Sequence, residues 1–425
     1  MGAIHLERKN TKQKGRDNVT IDKTIIAVFA AVFAAATVPV SAGTPQAPQT
    51  MREAMQPYVD NGLLPGAISV MYDNGRETVE CFGYSDVEAK RPITLDDPFM
   101  QCSQTKGFCG VTVAKLVEEG LLNIDDPVSK YLPEFETLWV LKSETNDTRT
   151  LVKAQHSLTV RMCMNHTGGF TFELPNFEAM GGWSRKMPLR SVAATAAACP
   201  LLFEPGTAVQ YSNTGIDIGA AVVEAVTGKK WEDYLKATVF DPLGMKDSTF
   251  WPTDEQLSRQ IEMYHCTRGL PTVPKSCDSR MQRPYNGPGV FPSAGAGLWT
   301  TARDQLKFYK MLMNLGVGEN GVRILKEETV RNLLAVSSRT RGGGYSMGFK
   351  APYKDVDDAW FGHGGAWGSN CMVNWHRKQL WLFVVQLTGR GNARPWENGR
   401  KAAQRAYFRT SDDRFKVDDY TGRTN

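Results

Sequence analysis

Ser103 and Lys106 stand three residues apart in the stretch QCSQTKGFCG. On a helix such positions share a face. A lysine amine there could take the proton of the serine hydroxyl and turn it into a nucleophile. A serine in the first turn also feels the positive end of the helix dipole, which favours developing negative charge. An unperturbed lysine titrates near ~10.4, so acting as a base asks for burial or a neighbouring cation. The pair alone is weak, because Ser-x-x-Lys arises by chance about once or twice in a chain of ordinary composition. Taken alone, the pair is better explained as an N-capping serine followed by a solvated lysine.

Partners for that pair lie far downstream. Tyr211 and Asn213 flank Ser212 in FEPGTAVQYSNTGIDIG, where a Pro-Gly turn precedes a helical run. Both side chains are expected on a loop entering that helix and pointing the same way. A phenol can move a proton when a cation is near, and an asparagine can orient a lysine and hydrogen-bond a substrate amide. A plain loop tyrosine with an Asx-type cap is the competing reading. The third group is His363-Gly364-Gly365, in WFGHGGAWGSN. Glycines at a strand edge let a ligand approach the backbone. The N–H of Ala366, paired with that of Ser103, could then hold an oxyanion, while His363 supplies a polar or cationic contact. A similar triplet, His166-Thr167-Gly168, reads as a structural turn with a hydrogen-bonded histidine, and Tyr72-Asp73-Asn74 as hairpin-turn chemistry.

These residues need elements to hold them. A short amphipathic helix is expected over 50–62 and a β-hairpin over 66–84 around Asp73-Asn74-Gly75. Helical periodicity covers 104–120, 214–227, 302–315 and 395–408, and strand patterns cover 344–350, 358–362, 367–376 and 380–388. Strands at both ends and helices between them predict an α/β (α+β) fold. One antiparallel sheet would be built from both termini and flanked by helices, with a mainly helical lobe alongside. The sheet lobe would take about 51–100 and 340–410, the helical lobe about 110–335, and the site would lie in the cleft between them.

The remaining features bound the setting. With 425 residues, 41% hydrophobic and a net charge of +5, the chain is long enough for a large core. It shows no basic stripe with interleaved aromatics, which argues against nucleic acid as a partner. Six basic residues precede residue 24, an apolar run fills 24–43, and Val40-Ser41-Ala42 ends it. That is the layout of a secretory signal cleaved after Ala42, with an uncleaved anchor as the alternative. Residues 44–50 read as a linker and 411–425 as a polar tail. Export to the periplasm or beyond, or attachment to a membrane facing outward, follows from either reading. Of the eight cysteines, Cys266 and Cys277 bracket a loop and form the one disulfide candidate; the others read as small buried hydrophobes. No metal-ligand spacing is present.

In this order, Ser-x-x-Lys, Tyr-x-Asn and His-x-Gly on a strand resemble the penicillin-recognising serine hydrolases, and within them the class C β-lactamase-related group that includes D-peptidases and esterases. LTVRMCMNHTGGF, FEPGTAVQYSNTG, VFDPLGMKDSTF and SAGAGLWTTARDQLKF are similar to family segments in the family's order, so the resemblance spans roughly residues 50–410. It implies a β-lactamase/transpeptidase-like fold that needs no cofactor. Ser103 is then the acylated nucleophile, Lys106 its base partner, Tyr211 an aid to proton transfer and Asn213 a contact to lysine and substrate. The oxyanion would be held by the N–H groups of Ser103 and Ala366. The substrate expected is an ester, a β-lactam or a D-amino-acid peptide. Where β-lactamases of this group carry Lys-Thr-Gly, this chain has His363-Gly364-Gly365, which leans toward D-peptidases and esterases. Two rivals stand beside that reading: a penicillin-binding or sensor protein that acylates and turns over poorly, and a non-enzymatic binding domain.

Overall fold

The structure, a computed structural model, describes residues 50–174, 187–265, 275–276, 291–340, 343–351, 360–388 and 395–409. The N-terminal signal or anchor, residues 44–49 of the linker, Cys266, Cys277 and the 411–425 tail lie outside the described residues. Among the described residues, no helix is long and apolar enough to cross a membrane.

The sheet that carries the site joins both ends of the chain. Its strands are β1 (Gly66–Asp73), β2 (Arg76–Asp86), β3 (Arg91–Pro92), β4 (Ser338–Thr340), β5 (Gly343–Tyr345), β6 (Lys350–Ala351), β7 (Phe361–Gly364), β8 (Gly368–Asn374) and β9 (Gln379–Thr388). They lie in the order β4-β5-β6-β7-β8-β9-β1-β2-β3, each antiparallel to its neighbour. The closure is the β9–β1 pair, with Ile68 opposite Val384 and Val70 opposite Leu382. Asn74 and Gly75 both take positive φ, 45° and 95°, which suits a tight two-residue hairpin. Five helices matter here: α1 (Met51–Asp60), α2 (Thr105–Glu118), α3 (Asn213–Thr227), α4 (Ala302–Met313) and α5 (Glu397–Phe408).

The period of two in the strands splits the core into two layers. Ala67, Met71, Trp381, Phe383 and Val385 pack with Met51 and Met55 of α1 and with Ala403 and Phe408 of α5. Ile68, Val70, Leu380, Leu382 and Val384 face the other way, toward Phe108 of α2 and Phe308 of α4. Those two rings stack with centroids 3.7 Å apart. Helix α1 starts on a capping box: Thr50 accepts the Glu53 N–H at 3.1 Å and the Glu53 carboxylate accepts the Thr50 N–H at 3.3 Å.

Two expectations need correction. The single strand expected over 344–350 is broken into β5 and β6, because Ser346–Phe349 form a turn in which the Ser346 N–H reaches the Phe349 carbonyl and Gly348 takes φ 84°. The middle of the chain also holds a hairpin, Trp139–Glu144 against Arg149–Lys153, where mainly helix was expected. Its β-rich runs around Asn146-Asp147 carried a readable turn signal.

The 346–349 turn packs on α2 through glycines. A Cβ on Gly107 would stand 2.6 Å from the Phe349 ring, and one on Gly110 only 2.0 Å from the Met347 carbonyl oxygen. A ring can shift, but a backbone carbonyl in a packed turn cannot do so cheaply. Gly110→Ala is therefore expected to lower stability by about 1–3 kcal/mol, the usual range for overpacking, and more than Gly107→Ala. Thermal unfolding of both variants checks the order.

Candidate active site

Lys106 is fully buried, and its ammonium has three acceptors around it. Nζ donates to Ser103 Oγ at 3.1 Å, to Asn213 Oδ1 at 2.5 Å and to the Gly295 carbonyl at 2.6 Å. Three donors meet three acceptors, so the nitrogen is fixed in direction as well as position. Each acceptor is held in turn. Asn213 is the first residue of α3, capped by Ser212, and its Nδ2 donates to Glu173 Oε1 at 2.5 Å, which settles which way the amide faces. Asp217, one turn further along α3 and buried, accepts from the Gly295 N–H at 3.0 Å and from the Ser293 hydroxyl at 3.3 Å. That anchors the segment presenting the Gly295 carbonyl. Sequence reasoning missed Glu173, Asp217 and Gly295.

The half-buried Ser103 sits in a single 3₁₀ turn, Cys102–Gln104, that runs into α2. The residue before it, Cys102, has φ 51°. Positive φ is uncommon for a side chain with a Cβ, and such backbone concentrates at functional sites. Burial pushes the Cys102 thiol up to about 11, partly offset by the backbone N–H groups of Trp367 and Ala366 against its sulfur and by the Lys106 charge. Cys102 and Cys109 are both buried around the start of α2.

Tyr211 is half-buried and lays its ring over Lys106, with Nζ 4.8 Å from the ring centroid. Its hydroxyl meets His363 Nε2 at 3.4 Å. His363 lies on β7, buried, and its Nδ1 is 2.7 Å from the Gly364 carbonyl. A carbonyl only accepts, so Nδ1 carries the proton and Nε2 is an acceptor, here for the hydroxyls of Tyr345 at 3.2 Å and Tyr211. Burial, then the charges of Lys106 and Lys350, hold the imidazole well below its ordinary pKa, against an opposing pull from the Gly364 hydrogen bond. Of the polar or cationic contact expected of His363, this geometry fits the polar one, a neutral ring that accepts from the tyrosine hydroxyls.

His166 turns out to belong to the same wall. It follows the short helix Val160–Met164 at φ 69°, and its Nδ1 accepts the Ser212 N–H at 3.3 Å. Its ring lies between those of Tyr211 and Tyr345, with centroids 4.5 and 4.3 Å away. Burial and the charges of Lys106, His363 and Lys350 keep it well below the usual histidine range. The signal was in the sequence, since His166-Thr167-Gly168 echoes the His363 triplet, but only the fold places the two rings against one tyrosine.

Above Ser103 opens a pocket of ≈ 840 Å³. Tyr211, His363, Gly364, Gly365 and Ala366 line it, together with Phe172, Arg339, Thr340 and Lys350. Of the eight expected site residues, six line this space, and Lys106 is buried beneath it. Asn213 is buried below it, its amide already engaged by Lys106 and Glu173. Among the described residues, no three His, Cys, Asp or Glu side chains are grouped to hold a metal ion.

A serine hydroxyl on a buried lysine, under an open pocket and beside glycines at a strand edge, is an arrangement that can chemically support attack of the serine on a carbonyl. The chain belongs to the Beta-lactamase family, whose pattern it matches over residues 51–404. It is similar to the esterase EstB of Burkholderia gladioli, 30% identical over 357 residues that cover 76% of this chain and 86% of EstB. Its fold resembles simvastatin synthase (LovD6 mutant) from Aspergillus terreus, with TM-score 0.70 at 22% identity, covering 84% of this chain and 94% of that one. It also resembles a D-stereospecific amidohydrolase from Streptomyces, with TM-score 0.60 at 20% identity, covering 84% and 99%. The β-lactamase-like mixed α/β fold expected from the motifs is the one observed.

Proposed function

We propose that this protein is a serine hydrolase that forms an acyl-Ser103 intermediate on a small ester or a D-amino-acid amide. The observation that carries the reading is the 3.1 Å contact between Lys106 Nζ and Ser103 Oγ, with the lysine's other two donors tied to Asn213 and Gly295. Once Lys106 has given up to solvent the proton now directed at Ser103 Oγ, keeping two on Asn213 and Gly295, its amine takes the Ser103 proton as Oγ attacks the carbonyl carbon. The N–H groups of Ser103 and Ala366 are assigned to the oxyanion. As the C–O or C–N bond breaks, the leaving group takes a proton from Lys106 or Tyr211, and water then repeats the attack on the acyl-enzyme and restores the serine. Resemblance to EstB favours the ester. His363 stands where β-lactamases of this group carry a lysine, and that departure, with the likeness to EstB, places β-lactam turnover second. The basic and then apolar N-terminal run supports export as part of the same reading.

Incubation with a fluorophosphonate should add one adduct mass, mapped to the peptide containing Ser103, and Ser103→Ala should take none. Hydrolysis of p-nitrophenyl butyrate, nitrocefin, D-amino-acid amides and a D-Ala-D-Ala peptide would rank the substrates. Wild-type protein that neither labels nor hydrolyses any of these would sink the proposal.

A further inference from the structure

Among the described residues, the charged side chains that line the pocket above Ser103 are of one sign. Of the described side chains that line it, Arg339 and Lys350 are cations and none is a carboxylate. Lys350 comes from β6, where its Cα pairs with Gly362, two residues before the Gly364 that borders the pocket. Among the described residues, no carboxylate stands within salt-bridge distance of its ammonium. Its charge is felt inside the site, since it is one of the forces that keep both buried histidines neutral. Position 363, where the resembling β-lactamases place a lysine, holds no charge. A cation on the pocket wall comes instead from the neighbouring strand, as Lys350. Phe172 and Val209 give the same pocket an apolar portion. A cation, an apolar wall and a nucleophile in one open space fit a ligand that is an acyl compound at one end and an anion at the other.

We propose that Lys350 binds an anionic group, a carboxylate in the simplest case, on a part of the substrate away from the reacting carbonyl. This rests on the hydrolase reading above and adds the substrate's charge to it. The anion could sit on the acyl side or on the leaving group, and two matched pairs of esters separate these. The first pair is p-nitrophenyl butyrate with mono-p-nitrophenyl glutarate, and the second is m-tolyl butyrate with m-(carboxymethyl)phenyl butyrate. In at least one pair, wild type should favour the anionic member in kcat/KM by on the order of tenfold, a preference that shrinks as salt is added. Lys350→Gln should abolish that preference and Lys350→Arg should keep most of it. The pair that responds tells where the anion lies. No preference in either pair, or one that survives Lys350→Gln, overturns the proposal. A readout that needs no turnover keeps the two readings apart: calorimetry of both anionic esters, mono-p-nitrophenyl glutarate and m-(carboxymethyl)phenyl butyrate, on Ser103→Ala against Ser103→Ala/Lys350→Gln. The ester compared is the one that wild type favours in kcat/KM or, without turnover, the tighter binder. Tighter binding to Ser103→Ala supports the anion site even where wild type hydrolyses nothing, and equal binding removes it even where hydrolysis is brisk.

Discussion

Ser103→Ala and Lys106→Met are each expected to lower kcat/KM on p-nitrophenyl butyrate by about 10³–10⁵-fold, and the double variant to be hardly worse than either single one. Groups that act as one unit lose their effect together. The hydroxyl is useless as a nucleophile without a base, and the base has nothing to activate without the hydroxyl. Methionine keeps the length of the lysine stem in a fully buried site and removes only the nitrogen. It leaves Asn213 Oδ1 and the Gly295 carbonyl without the donor they now share. An unsatisfied buried acceptor costs about 1–3 kcal/mol, so Lys106→Met should also melt earlier than wild type. The two effects are separable. Asn213→Ala removes one of the acceptors and loosens the lysine while leaving its nitrogen in place, so its activity loss should be far smaller than that of Lys106→Met. Fluorophosphonate labelling of Ser103 should slow in Lys106→Met in step with turnover. Turnover in Lys106→Met within tenfold of wild type would mean that the lysine is a structural cation and that another group activates the serine.

What the sequence could show follows from how each residue acts. Ser103, Lys106, Tyr211 and His363 are legible because the chemistry depends on their side-chain types at short, recognisable spacings. Gly295 acts through its carbonyl, which every residue possesses, so no spacing singles it out. Glu173 and Asp217 matter because they hold Asn213 and the Gly295 segment, and that support exists only after chain segments some forty to eighty residues apart meet. Lys350 was hidden for a different reason. The expected strand over 344–350 ran straight through a turn, so the register that sets Lys350 beside Gly362 could not be read. The protonation of His363 is a tertiary property as well. A histidine before two glycines on a strand is as compatible with a cation as with a neutral ring. Its environment decides: a carbonyl on Nδ1, two tyrosine hydroxyls on Nε2 and buried positive charge nearby.

That environment makes a prediction about acid. His166 and His363 are both buried and held neutral, and the charged groups acting on them, Lys106 and Lys350, share the sign that a protonated imidazole would carry. Their ring nitrogens meet the Ser212 N–H, the Gly364 carbonyl and tyrosine hydroxyls, so among the described residues their hydrogen-bond partners include no carboxylate to welcome a proton. In the unfolded chain both rings titrate near ~6.5. Above that pH neither state binds a proton at these positions, and they contribute no pH dependence. As the pH falls below it, the unfolded state takes up protons that the folded state refuses, so stability falls by up to about 1.4 kcal/mol per pH unit for each histidine until the depressed folded-state values are reached. Glu80, Asp97, Glu224 and Glu232, raised by burial, work the other way closer to the carboxylate range. The informative quantity is therefore a difference between proteins. Urea unfolding of wild type, His166→Asn and His363→Gln between pH 7.5 and about 5 should give each variant a shallower loss than wild type, by close to one proton's slope. Parallel curves would mean that the histidines titrate alike in folded and unfolded protein, and the neutral ring that receives the Tyr211 hydroxyl would have to be given up. The same neutrality sets the activity profile: kcat/KM should show no step assignable to His363 between pH 6 and 8, whereas an imidazolium contact would fade across that interval.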